Sequence, residues 1–278
     1  MNPAAGRSRC RAAFHRGLAI WERIMSSERF DFTGADGQLL AGRLDHPESE
    51  LRGYALFAHC FTCGKDVFAA SRIAQAMTEH GIAVLRFDFT GLGASEGEFA
   101  NTNFSSNCLD LIAAANHLSQ RKQRPALLIG HSLGGAAVLA AAGQIEGIRA
   151  IVTIAAPRDP SHVTGLFREH LDTIRQQGEA DVQLAGRTFR VKKQFLEDAA
   201  EHNLTQRISE LRTPLLVMHS PDDKTVDIQN AAHIFNAAKH PKSFISLAGA
   251  DHLLSRKADA IYAARVISAW SARYIEAG

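Results

Sequence analysis

A serine, a histidine and a pair of carboxylates fall at positions in this chain where acyl-transfer chemistry would need them. The serine is Ser132, in Gly130-His131-Ser132-Leu133-Gly134, which fits the pattern G-x-S-x-G. An apolar run, residues 126–129, leads into it, and a small-residue run, 135–142, follows. That order reads as strand, sharp turn and helix, the context in which such a serine presents its hydroxyl to the open edge of a sheet. A serine hydroxyl is a weak nucleophile until a base takes its proton. Histidine suits that task because its pKa lies near working pH, and a carboxylate then holds the imidazole in the right tautomer.

Two later loops supply both groups in the order serine, acid, histidine that strand-turn-helix hydrolases use. Ser220-Pro221-Asp222-Asp223-Lys224-Thr225-Val226 follows the apolar run 214–219, and Ala248-Gly249-Ala250-Asp251-His252-Leu253-Leu254 follows 243–247. Each lies just past the carboxyl end of an expected strand, where open α/β sheets gather their ligands. Thirteen histidines are present, so the type alone selects none; His252 is singled out by order and by its glycine-containing loop. His131 is too close in the chain to turn back on Ser132 and is expected to pack beneath the turn. Asp222 and Asp223 both qualify as the acid, one of them as a turn cap, and Asp251 is read as structural.

A developing oxyanion needs two fixed N–H donors, one after the nucleophile and one from the loop after an earlier strand. Leu133 takes the first place, and Phe61 the second, with Cys60 its near alternative. The segment Cys60-Phe61-Thr62-Cys63 is also a C-x-x-C, so a redox-responsive binding protein using Cys60 and Cys63 is the rival reading from a different class. Gly91-Leu92-Gly93-Ala94-Ser95-Glu96 fails G-x-G-x-x-G at its third glycine and is read as a sharp loop, not a dinucleotide site. No cofactor and no metal is called for.

The elements that must carry these groups follow the chain. Residues 29–33 and 38–44 alternate in polarity around Asp36-Gly37 and predict a hairpin. Apolar strands are expected at 54–59, 82–88, 126–130, 149–156, 214–219 and 243–247, and helices at 67–80, 104–121, 133–143, 227–239 and 258–275. Strands alternating with helices predict a mostly parallel, doubly wound sheet of about eight strands with helices on both faces. Between 159 and 212 the rhythm breaks. An amphipathic helix at 161–177, a small hairpin within 182–191 and a helix at 194–202 are expected to form a lid, since a loop of such length without function is uncommon.

Of 278 residues, 31 are Lys or Arg and 29 Asp or Glu. This near balance gives no reason to expect nucleic acid as a partner. No run of 18 apolar residues predicts a membrane span. Four cysteines in so long a chain are no disulfide framework and are expected to be reduced thiols in a cytoplasmic protein. Residues 1–24 carry five arginines against one acid. They read as an N-terminal basic extension ahead of a single domain over 25–278, a short helix or a disordered tail rather than a transit peptide.

With elbow, acid loop, histidine loop and oxyanion loop in place, the chain resembles the α/β-hydrolase superfamily from about residue 29 to 275. Arg86-Phe87-Asp88-Phe89-Thr90-Gly91-Leu92-Gly93-Ala94-Ser95 is similar to the family's D-x-x-G-x-G-x-S stretch. The family's D-x-x-V pattern falls on Asp223 and Val226, which selects Asp223 over Asp222. More narrowly, His59-Cys60-Phe61-Thr62-Cys63 and Phe99-Ala100-Asn101-Thr102-Asn103-Phe104 resemble bacterial hydrolases often fused to an OsmC-type domain. No OsmC part is expected within these residues, and peroxidase chemistry is not carried over. The resemblance implies Ser132, His252 and Asp223 as a catalytic triad and a small-molecule ester as substrate. Peptidase, thioesterase and perhydrolase activities on the same triad are the alternatives within that scaffold.

Overall fold

A computed structural model of the chain describes residues 26–275; the basic extension over 1–24 lies outside the described residues. β1 (Ser27–Arg29) and β2 (Phe32–Thr33) are followed by β3 (Leu39–Leu40) and β4 (Gly42–Asp45). Sequence alternation predicts one hairpin here, and the structure splits it. β2 pairs with β3 around the Asp36-Gly37 turn, while β1 pairs with β4 in the main sheet. The break falls where Gly42 meets Phe30: a Cβ at Gly42 would lie 2.2 Å from the Phe30 carbonyl oxygen.

Then come β5 (Gly53–Ala58), α1 (Phe68–Thr78), β6 (Ile82–Phe87), α2 (Phe104–Arg121), β7 (Leu127–His131), α3 (Leu133–Ala141) and β8 (Ala150–Ile154). After β8 lie α4 (Leu171–Gln177), β9 (Glu179–Leu184), β10 (Arg187–Lys192), α5 (Lys193–Glu201) and α6 (Leu204–Glu210). β11 (Leu215–His219), α7 (Gln229–Ala237), β12 (Lys242–Ser246) and α8 (Lys257–Ile275) complete the chain.

Eight of these strands form one sheet in the order β1-β4-β6-β5-β7-β8-β11-β12. β1, β4 and β6 pair antiparallel and all other neighbours pair parallel. This is the mostly parallel sheet with helices on both faces that the sequence predicts. Strands β5, β6, β7, β8 and β11 are buried along their whole length, as a sheet covered on both sides requires. Their side chains alternate between two cores. Leu56, Leu85 and Leu128 pack with α2 and α3, whereas Phe57, Val84 and Ile129 pack with α1 and α8.

Helix α2 begins at a capping box, in which Asn103 accepts from the Ser106 amide and Ser106 Oγ accepts from the Asn103 amide. Its residues Phe104, Cys108, Leu111, Ala115 and Leu118 are buried, the spacing of one helical face. No described helix is long and apolar enough to cross a membrane.

The 159–212 segment departs from the expected pattern at its start. In place of one helix over 161–177, a 3₁₀ stretch spans Pro160–His170, with Phe167 at φ −133° and ψ 38°, and only then does α4 begin. Burial decides this. Phe167 is 2% exposed and packs with Val163, Ile174, Val182, Leu184, Val191 and Phe195 in a small core of the segment's own, so tertiary packing overrides helical continuity. Helix α6, absent from the sequence-based outline, buries Leu204 and Ile208 beside α3.

Buried Arg86 on β6 anchors the sheet edge nearest the site. Its Nε donates to Asp45 Oδ2 at 2.8 Å, and its Nη1 donates to the Lys65 carbonyl and to Asp66 Oδ1. A buried guanidinium is tolerated only when paired and hydrogen-bonded in this way.

Close packing of α3 against β5 gives a first test. A Cβ on Gly134 would lie 2.3 Å from the Ala58 carbonyl oxygen and 2.5 Å from that of His59. Both are backbone atoms with no rotamer to yield. Gly134→Ala is expected to cost about 1–3 kcal/mol, read as a lower urea midpoint at unchanged slope.

Candidate active site

Ser132 sits at φ 55° and ψ −124°, between β7 and α3. Non-glycine residues rarely occupy this region, and its cost is sustained only where surrounding structure over-determines it. Here the Ser132 amide donates to the Ile154 carbonyl at 2.9 Å, tying the turn to β8. Gly130 allows the return of the helix, since a Cβ there would stand 2.3 Å from the Gly134 carbonyl oxygen.

The structure brings Ser132, His252 and Asp223 together across three separate loops. Ser132 Oγ lies 3.0 Å from His252 Nε2, and His252 Nδ1 lies 2.8 Å from Asp223 Oδ2. With Nδ1–H donated to the carboxylate, Nε2 is left as an acceptor for the serine hydroxyl. Asp223 Oδ1 accepts from the amides of Thr225 and Val226 at 2.8 and 2.9 Å. Burial alone would raise the Asp223 pKa, but the His252 hydrogen bond and these two amides outweigh it and hold the carboxyl below its ordinary value. Asp222 turns the other way and accepts from the Gly249 amide at 2.9 Å, bracing the acid loop against the histidine loop. Asp251 accepts from the Ser255 amide and hydroxyl within its own turn.

Three further histidines hold the loops, and only their place in the fold reveals it. His131, expected to pack under the turn, does so and also donates from Nε2 to the His252 backbone carbonyl at 2.7 Å. Its ring centroid lies 5.3 Å from that of His252. His219, at the end of β11, donates from Nε2 to the Val226 carbonyl at 2.8 Å, closing the turn that carries Asp223. His59 donates from Nδ1 to the Cys60 carbonyl at 2.8 Å, which also accepts from the Cys63 amide at 3.1 Å.

That doubly bound carbonyl matters because it shares a peptide unit with the Phe61 amide. In a planar trans peptide the C=O and N–H point in opposite directions, so fixing the Cys60 carbonyl fixes the direction of the Phe61 N–H. Among the described residues the Phe61 and Leu133 amides donate to no other group. Phe61 and Leu133 both border a cavity of about 360 Å³ with Ser132 and His252. Its remaining wall is largely apolar, with Pro157, Val163, Leu166, Leu184 and Val226 among the lining residues. Leu166 and Leu184 come from the 159–212 segment, which also reaches the Phe61 loop: Arg187 donates from Nη2 to the Thr62 carbonyl, and the Phe195 ring lies tilted against that of Phe61 with centroids 5.4 Å apart.

The expectation of reduced thiols is corrected at one pair. Cys60 and Cys63 are joined in a disulfide with their Cα atoms 5.3 Å apart, while Cys108 is a buried free thiol. The turn from Cys60 to Cys63 sets the two sulfurs face to face, which spacing alone did not settle. Beyond this turn, Asp88 ties the next two loops together. It accepts from the Lys65 amide and Nζ and from the Ala94 amide, and a Cβ at Gly93 would fall 2.3 Å from its carboxylate. The Gly91–Glu96 stretch is thus a packed corner beside the site.

Comparison with known proteins agrees with this fold. The sequence profile of the alpha/beta hydrolase family matches residues 55–264. The crystal structure of an esterase domain from a Rhodothermus marinus protein is 52% identical, with 90% of this chain and all of that chain aligned at a TM-score of 0.75. The mouse mitochondrial palmitoyl-protein thioesterase ABHD10 is 27% identical over 191 residues, 64% of this chain and 62% of its own. Est1E from Butyrivibrio proteoclasticus, solved with ferulic acid, shares the fold at 19% identity and a TM-score of 0.72, over 88% of this chain and 98% of its own.

Burial of His131 yields a pH test. Burial first, and the neighbouring His252 second, lower its pKa from 6.5 to about 4. Between those values the unfolded chain binds a proton that the folded chain refuses, so this residue makes stability fall as pH drops from 6.5 to about 4. His131→Phe is expected to flatten that limb by up to about 1.4 kcal/mol per pH unit, measured by urea unfolding across the range; a slope identical to that of the parent would refute the assignment.

Proposed function

The chain belongs to the alpha/beta hydrolase family, and we propose that within it this protein is a serine carboxylesterase acting on small acyl esters through an acyl-enzyme. The observation that carries the reading is the continuous relay from Ser132 Oγ through His252 to Asp223, at 3.0 and 2.8 Å, opening on an apolar cavity.

Substrate enters with its acyl group against the apolar wall. A cavity of about 360 Å³ lies within the range of small-molecule sites, about 300–1,000 Å³. Ser132 Oγ attacks the carbonyl carbon while His252 Nε2 takes the hydroxyl proton. Asp223 stabilises the imidazolium without accepting that proton. The Phe61 and Leu133 amides face the oxygen as it gains charge, a contribution worth about 2.7–4 kcal/mol per donor. His252 then protonates the leaving alcohol, and water repeats the sequence to free the acid. The 159–212 segment acts as a lid whose leucines shape the acyl end of the cavity.

Thioester hydrolysis is a second reading. The same relay attacks a thioester carbonyl, and the 27% identity to a palmitoyl-protein thioesterase favours it. Parallel rates on p-nitrophenyl esters and acyl-CoA thioesters of matched chain length separate the two readings.

Ser132→Ala is expected to reduce hydrolysis of p-nitrophenyl butyrate to background, by about 10⁴-fold or more, while the circular dichroism spectrum and urea midpoint stay those of a folded protein. Retention of the parent rate would exclude the proposal.

A further inference from the structure

The C-x-x-C pair is not used by the proposed hydrolysis, yet it stands in the wall of the same cavity. Cys60, Phe61, Thr62 and Cys63 all line it together with Ser132 and His252. Cys60 is 4% exposed, while Cys63 is only partly buried and is the more accessible residue of the pair.

The disulfide closes the turn that aims the Phe61 amide. Cys63 N–H donates to the Cys60 carbonyl, and that carbonyl lies across the peptide plane from the Phe61 N–H. Thr62, between them, sits at φ 59°, a conformation that a threonine leaves readily once unconstrained. The covalent link from Cys60 to Cys63 holds it there. Without the link, His59 still grips the Cys60 carbonyl and Arg187 the Thr62 carbonyl, but the Cys63 amide loses its covalent restraint.

We propose that the Cys60–Cys63 disulfide is a thiol-exchange site through which small thiols regulate the oxyanion loop. The inference rests on the proposed serine hydrolase reading for its effect on turnover, but not for its effect on the loop. A thiolate entering by the substrate cavity attacks Cys63 Sγ. The Sγ–Sγ bond breaks, its electron pair leaves on Cys60 Sγ, and that sulfur takes a proton. A second thiol attacks the mixed disulfide and releases Cys63 as a thiol. Two electrons and two protons pass to the protein, and the reductant leaves as its disulfide. The reduced loop, held by His59 without the disulfide, aims the Phe61 N–H less firmly, and the rate of acyl transfer falls. Oxidation by a disulfide compound of the same class restores it.

Dithiothreitol is the probe, applied to the full-length protein. Alkylation in denaturant with peptide mapping is expected to find Cys60 and Cys63 blocked before treatment and both alkylated after it. Hydrogen exchange over residues 60–64 should rise on reduction as the Cys63 amide loses its acceptor. On p-nitrophenyl butyrate, kcat should fall about three- to tenfold, a part of the ~10²–10³ that follows complete loss of one donor, with KM within about twofold. After removal of dithiothreitol, glutathione disulfide should restore the rate. Cys63→Ser should run at the reduced rate and ignore the reagent.

Alkylation of both cysteines without reductant, even after incubation with glutathione disulfide, would overturn the inference. So would identical exchange over 60–64 in the two states, or an equal kcat in both. Absence of turnover in both states together with increased exchange on reduction would reject the hydrolase reading and keep the exchange site.

Discussion

The left-handed backbone of Ser132 is the constraint on which the site depends. At φ 55° and ψ −124° the chain reverses from β7 into α3 within one residue, so the hydroxyl stands at the sheet's carboxyl edge. The turn persists because its neighbours leave no other path. β8 takes the Ser132 amide, and Gly130 and Gly134 let the helix lie against β7 and β5 at distances no side chain would tolerate. Strain is thereby held by packing between a buried strand and a buried helix, the setting in which a strained turn survives.

From that fixed point the remaining groups are placed by loops that brace one another. Asp223 is held by two amides and by His219's closure of its turn, and Asp222 reaches across to the histidine loop. His131, adjacent to the serine, grips the backbone of His252. The elbow therefore orients the proposed base through a hydrogen bond to that residue's main chain. On the opposite side, His59, Cys63 and the disulfide set the peptide that carries the Phe61 amide. Every group the proposed chemistry needs is positioned by a second contact formed in the folded state, as preorganised electrostatic catalysis demands.

Much of this was legible in the residues, for physical reasons. Buried parallel strands must be apolar throughout, so β5, β6, β7, β8 and β11 announced themselves, and an elbow needs its glycines. The alternating helices followed from apolar spacing. What stayed hidden depends on partners distant in the chain. His131 and His252 are separated by 121 positions, and no local pattern pairs them. The kink at Phe167 follows from burial within the 159–212 core, which outweighs a helical pattern that looks continuous on its own. The split of the first hairpin needed the contact of Gly42 with Phe30. The Cys60–Cys63 bond needed the turn that brings the sulfurs together, where composition pointed to free thiols.

The proposed function rests on Ser132 as a nucleophile activated by His252 and Asp223. Its most direct test is the intact mass and tryptic map of the protein after brief exposure to a fluorophosphonate. The account predicts one stoichiometric adduct on the peptide containing Ser132, formed at least about 100-fold more slowly in His252→Ala, since a serine hydroxyl without a base is a poor nucleophile. An adduct on a different serine, or equal labelling rates with and without the imidazole, would contradict it.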